Sequence, residues 1–162
     1  MPLKSKLDSI DRKILGILQT NAKITNAQLS VEVGLSPAPT LERVKKLEKS
    51  GVIRSYHAKL DEHKIGLEVS TFVQVTLTGH NKKNIEVFMK AIDNIDEVIE
   101  CHHITGRGDI LLKVVTKDIA SYQELILERI SEIEVVDNLQ SMVILSTLKN
   151  SHYLPIIDEH DG

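Results

Sequence analysis

Aromatic side chains are nearly missing from this chain: no tryptophan, three tyrosines and two phenylalanines among 162 residues, 3% in all. That poverty argues against a single-strand binder that stacks bases on aromatic rings. One cysteine, Cys101, excludes an internal disulfide framework and fits a reducing compartment. No apolar run approaches the roughly 20 residues that a bilayer-spanning helix needs, so no membrane partner is expected. The opening MPLKSKLDSIDRK is polar and has no apolar signal-peptide core, which predicts an unexported, cytoplasmic chain. Nucleophile elbow, Walker loop and dinucleotide fingerprint are all absent, so neither an enzyme nor a cofactor is expected. What is present is an ordinary globular composition, 41% hydrophobic and 27% charged, at a length that suits one medium domain or two small ones.

The net charge of -3 disguises a polarity along the chain. Residues 1–60 hold 11 Lys and Arg against 5 Asp and Glu, net +6, whereas residues 61–162 hold 9 against 18, net -9. Two modules with different partners would produce this split, the first suited to a polyanion.

In the first module, Asp8 precedes an apolar stripe at Ile10, Ile14, Ile17 and Leu18, one buried face of a helix that fades near Asn21. Asp8 can cap its first turn, and Asp11 lies three residues on. A second short helix begins around Asn26, with Ala27, Leu29 and Val33 apolar. Gly34 then supplies the positive φ of a tight turn, and Ser36-Pro37 opens a third helix with Leu41, Val44 and Leu47 expected inward. Two short helices joined in this way form a helix-turn-helix. The outward face of the third helix presents Ser36, Ala38, Pro39, Glu42, Arg43 and Lys46. Arg43 is the expected base reader, since a guanidinium can bond a guanine edge in two places; Lys45, Lys46, Lys49 and Arg54 can meet phosphates. Double-stranded DNA is the partner this implies.

From residue 67 the period changes. Val69 to Leu77 alternates as a strand, and Ile85, Phe88, Met89 and Ile92 follow helical spacing. Val98 to Thr105 and Ile110 to Val115 read as two strands joined by a hairpin at Gly106-Arg107-Gly108. Tyr122, Leu125, Ile126, Ile130 and Ile133 mark another helix, and Val135 to Leu148 a final long strand. The order β-α-β-β-α-β is the ferredoxin-like plan, so the fold class is α+β, a helix-turn-helix domain followed by a ferredoxin-like domain. The boundaries read as 1–60, a linker at 61–66, 67–150, and a tail at 151–162 whose acids Asp158 and Glu159 are expected to be solvated. Runs such as Met142 to Leu145 and Ile110 to Leu112 make the sheet apolar on both faces. A second copy is the expected cover, and a symmetric pair suits recognition helices that read palindromic half-sites.

The segments LDSIDRKILGILQTNAKIT, LSVEVGLSPAPTLERVKKLEKSGVI, VIECHHITGRGDILLKVV and VILSTLK together carry a resemblance. Over roughly residues 7–150 the chain resembles the leucine-responsive/asparagine-regulator (Lrp/AsnC, feast/famine) family of prokaryotic transcription regulators. The resemblance implies a nucleoid-associated DNA binder with an amino-acid effector, and homodimers that assemble further, commonly to octamers. It places the effector around Thr105, Gly106 and Asp109, flanked by Ile104, Arg107 and Gly108, with Ser141 on the last strand a further candidate. A glycine turn offers N–H groups to a carboxylate, and an acidic side chain can meet an α-ammonium. Lys23 stands where the family usually has Arg and Ser30 where it usually has Ala; Gly108 replaces an aromatic that many relatives carry.

Cys101, His102 and His103 do not make a metal site, because neighbours on a strand point to opposite faces and four ligands are wanting. Two other functions compete with a ligand-responsive regulator. One is an architectural oligomer that wraps DNA without an effector, which the lost aromatic at 108 motivates. The other is a small enzyme built on the second half, which lacks a convergent acid–base set.

Overall fold

A computed structural model describes residues 7–79 and 81–157; Asp158 and Glu159 lie outside them. The chain divides into two compact units, one made of residues 1–59 and 149–162 and the other of residues 60–148.

The helical unit holds α1 (Ser9–Thr20), α2 (Asn26–Val33) and α3 (Pro37–Lys49). Helix α1 starts in a reciprocal cap: Asp11 N–H donates to Asp8 Oδ1 at 2.8 Å, and Asp8 N–H donates to Asp11 Oδ2 at 3.3 Å. Thr25 and Gln28 cap α2 in the same manner, at 3.2 and 3.1 Å. Gly34 ends α2 in the left-handed region at φ 78°, with its N–H and that of Leu35 both donating to Ser30 O at 3.0 Å. The Asn26 amide then spans the turn and donates to Pro37 O at 2.8 Å, tying the start of α2 to the start of α3. Ile14, Leu29, Val33 and Leu47 form the core, with Ile10, Ile17, Leu18 and Val44 around it. Leu41 departs from its expected inward position and is 42% exposed, because Thr40, Val44 and Leu47 take the inner stripe. A shift of one residue turns a side chain by about 100° around a helix.

The second unit is a four-stranded antiparallel sheet in the order β2-β3-β1-β4, formed by β1 (Val69–Leu77), β2 (Val98–His103), β3 (Ile110–Thr116) and β4 (Val136–Val143). Helix α4 (Lys82–Ile92) and helix α5 (Ile119–Glu124), which continues as a wider π turn over Leu125–Ile130, complete the β-α-β-β-α-β order. Val73, Val75, Leu77, Ile110, Leu112 and Val114 face Phe88, Ile92, Leu125 and Ile130 in one core. Residues 61–66 do not run as an open connection: His63–Ile65 forms a 3-10 turn, Leu67 N–H donates to Glu62 O at 2.9 Å, and Ser70 Oγ to Glu62 Oε2 at 3.0 Å.

The sheet departs from the sequence pattern in two ways. Strand β4 stops at Val143 rather than Leu148, since Ile144 N–H to Ser70 O is the last pairing and β1 begins at Val69; Leu145 and Leu148 are 95% and 96% exposed. Nor is the sheet apolar on both faces. The rows alternating with the core set bring Phe72, Leu111 and Met142 beside Gln74, Lys113 and Gln140, because an unbroken apolar run sends every second side chain inward.

Candidate functional site

The α2–α3 corner sets the orientation of α3. Its first residues are open: Ser36 occupies the N-cap without a side-chain bond to the helix, Ala38 and Glu42 are exposed, and Pro39 is half-buried. Lys45, Lys46 and Lys49 are exposed along the same helix, and Arg54 is exposed just beyond it. Tyr56 donates to Glu48 Oε1 at 2.9 Å, which holds the segment after α3 against the end of that helix.

Arg43, the expected base reader, is engaged within the helical unit. Its Nη1 donates to Asp8 Oδ2 at 2.6 Å and to Asp11 Oδ1 at 2.7 Å. Asp11 is buried, and the Arg43 side chain is 31% exposed. The guanidinium therefore pins α3 to the capped start of α1. The backbone N–H of Asp11, and after it the Arg43 guanidinium, hold the Asp8 carboxyl below its ordinary range, while the two carboxylates raise Arg43. The D-x-x-D spacing signalled the cap in the sequence, but its third partner lies 32 residues away and carried no local signal.

In the second unit, the turn between β2 and β3 exposes Thr105, Gly106 and Arg107, with Ile104 half-buried and Gly106 at φ 122°. Among the described residues, the N–H groups of Thr105, Gly106 and Arg107 donate to no backbone carbonyl. Asp109 is turned inward instead: it is 7% exposed, and its Oδ2 accepts from Leu77 N–H at 2.8 Å where the β1–β4 register shifts. The carboxylate expected to meet an α-ammonium thus satisfies a buried N–H that lies past the last β1–β3 register pair, Val75 with Ile110. Gly108 is buried beneath Gln74. A Cβ at position 108 would overlap the Gln74 side chain, with Cδ and Nε2 each 2.8 Å away. The space that an aromatic would take from one strand is filled by a carboxamide from another, a substitution no local spacing reveals. Ser141 is not gathered with this turn; it accepts from the Tyr122 hydroxyl, and its register partner is Val73. Cys101 meets Met89 at 3.5 Å between the two sulfurs, and His102 pairs with Glu100 at 3.0 Å.

An oriented basic helix in one unit and an exposed glycine turn in the other describe a DNA-binding protein with a separate sensing domain. Residues 7–54 match the winged helix-turn-helix DNA-binding family, and residues 70–154 match the Lrp/AsnC ligand binding domain. The chain is 38% identical over 150 residues to the leucine-responsive regulatory proteins of Klebsiella pneumoniae and Escherichia coli, covering 93% of this chain and 92% of each. A transcriptional regulator of Neisseria meningitidis, solved as its L-Met complex, superposes with a TM-score of 0.88 at 34% identity, over 93% of this chain and 97% of that one. An AsnC family transcriptional regulator from Agrobacterium tumefaciens superposes at 0.85 with 35% identity, over 92% and 97%. The chain belongs to the Lrp/AsnC family of transcription regulators and is not an enzyme.

Proposed function

We propose that the chain regulates transcription as a homodimer that lays two copies of α3 into the major groove at palindromic half-sites, in response to an amino acid received at residues 104–109. The observation that carries the DNA half is the Gly34-turned corner, which leads into a helix bearing three exposed lysines with Arg54 behind them. In this reading Ser36, Ala38, Pro39 and Glu42 approach base edges, while Lys45, Lys46, Lys49 and Arg54 neutralise phosphates. The amino-acid class rests on the relatives, whose names record leucine response and an L-Met complex. The N–H groups of Thr105, Gly106 and Arg107, which donate to no backbone carbonyl among the described residues, suit an α-carboxylate together with the exposed guanidinium. The Thr105 hydroxyl and the carbonyls of the turn are then left for the α-ammonium. The mixed sheet face around Phe72, Leu111 and Met142 is the proposed dimer surface, with further assembly to an octamer, and the compartment is the cytoplasm at the nucleoid.

Mobility shift of an operator fragment over a salt series tests the DNA half. Four cations on each of two protomers give a slope of about -7 in log affinity against log salt. A slope near zero would refute the assignment. Thermal shift against the amino acids tests the sensing half, and sedimentation reads the assembly. The inward turn of Asp109 favours a second reading, an architectural DNA-wrapping oligomer without an effector. It predicts that no amino acid raises the melting temperature while DNA affinity stays intact.

A further inference from the structure

The helical unit contains a segment that the DNA-binding reading does not use. The chain leaves this unit between residues 59 and 60 and re-enters it between 148 and 149, so residues 149–157 belong to the same compact body as α1. They are held there at named points. Lys59 Nζ donates to Asn150 O at 3.4 Å. The Gln19 side chain grips a single residue by both of its peptide groups: Nε2 donates to Leu154 O at 3.1 Å, and Oε1 accepts from Leu154 N–H at 2.6 Å. Tyr153 and Pro155 lie along Gly16 and Ile17 of α1, and Ile156, the half-buried member of the segment, borders the groove between α1 and residues 51–57.

This grip has a conformational basis. A residue before proline is steered out of the helical region into extended backbone, and Leu154 precedes Pro155. In extended backbone the N–H and C=O of one residue point the same way, as in the hydrogen-bonded pair of an antiparallel ladder. A carboxamide on the flank of α1 can then replace a partner strand. Recognition runs through the main chain, with apolar side chains adding modest burial. Tyr153, Leu154 and Ile157 stay 49%, 71% and 78% exposed. Two exposed hydrogen bonds and one half-buried isoleucine make a contact weak enough to open, held mostly closed because the segment is tethered at high effective concentration.

We propose that the groove between α1 and residues 51–57 is a docking surface for an extended apolar segment, and that residues 153–157 of this chain occupy it as a releasable strap. Docked, the strap gives the helical unit a second attachment to the rest of the chain. Released, the unit is held by the single crossing at 59–60, and its recognition helix gains freedom.

The test uses the full chain. Hydrogen exchange at the Leu154 amide is compared in the intact protein and in Gln19→Leu, which keeps the bulk of residue 19 and removes both bonds. The strap requires protection in the intact protein and exchange at least tenfold faster in the variant, with the helical unit still folded by circular dichroism. Exchange at the unstructured-chain rate in the intact protein, or an unchanged rate in Gln19→Leu, overturns it. A second measurement reads the consequence. Spin labels at Lys49→Cys and Leu127→Cys, in a Cys101→Ser background diluted with unlabelled chains, should give a broader distance distribution when the chain ends after Lys149. An identical distribution would show that the segment restrains nothing.

Discussion

Replacing Arg43 by alanine separates a residue that reads DNA from one that holds the reader in place. The substitution removes two charge-assisted hydrogen bonds shared by one Nη1, to Asp8 and to Asp11. The Asp11 side chain is 9% exposed, so losing its partner belongs with buried charged bonds at about 1.5–3 kcal/mol. The Asp8 side chain is 52% exposed, and that pair belongs with surface ion pairs at about 0.2–1 kcal/mol. Since one nitrogen serves both, the sum is about 2–3 kcal/mol. A domain of this size loses about 4–8 °C per kcal/mol, so the helical unit should melt roughly 10–20 °C lower. Differential scanning calorimetry on the full chain reads that change, and Arg43→Lys, which keeps the charge, should recover part of it. Operator affinity should fall below the shifted transition without altered preference at any one base pair. Unchanged melting together with relaxed preference at a single position would refute the pinning role and restore base reading.

Three further outcomes follow from the same contacts. Because the folded Asp8 carboxyl sits below its ordinary value of 3.8, its contribution is present above about pH 4 and is lost as the pH falls through the lowered folded value; Asp8→Asn should flatten the acid limb of a stability–pH curve for the helical unit. Asp109→Ala leaves the buried Leu77 N–H without its acceptor and should cost the sheet unit about 1–3 kcal/mol in urea unfolding, whereas Asp109→Asn should keep most of the stability; equal stability of all three chains would sink the structural role of this carboxylate. Gly108→Ala drives a Cβ into Gln74 and should destabilise by about 1–3 kcal/mol, with Gln74→Ala rescuing it in a double-mutant cycle; independent, additive effects would mean that the two residues do not share that space.

The legible parts of the fold were those written in local spacing. The cap at Asp8, the left-handed Gly34 and the Ser36-Pro37 start of α3 follow from backbone rules that act within four residues. The T-x-x-Q cap of α2 was equally readable, in Thr25 and Gln28. Ile144, Leu145 and Leu148 have strand-like character yet lie beyond β4, because the length of β1, which ends the pairing, is set elsewhere in the chain. The polarity of the sheet faces is hidden from the sequence for a related reason. An apolar run identifies a strand, but the polarity of a face belongs to four strands in register, and Gln74, Lys113 and Gln140 come from three of them.

Arg43, Asp109 and Gly108 mark the boundary between the two kinds of information. The sequence alone determined that a basic helix-turn-helix precedes an α+β domain with a glycine turn between its middle strands, since periodicity, capping and charge are properties of neighbouring residues. Only tertiary structure decided what those three positions do. An arginine on a nominally outward face was claimed by two carboxylates 32 and 35 residues away, an acid in the turn by an N–H on another strand, and the space above a glycine by a glutamine 34 residues earlier. A buried donor or charge is costly to leave unmatched, so the nearest partner in space takes the side chain, and nearness in space is set by packing rather than by order along the chain.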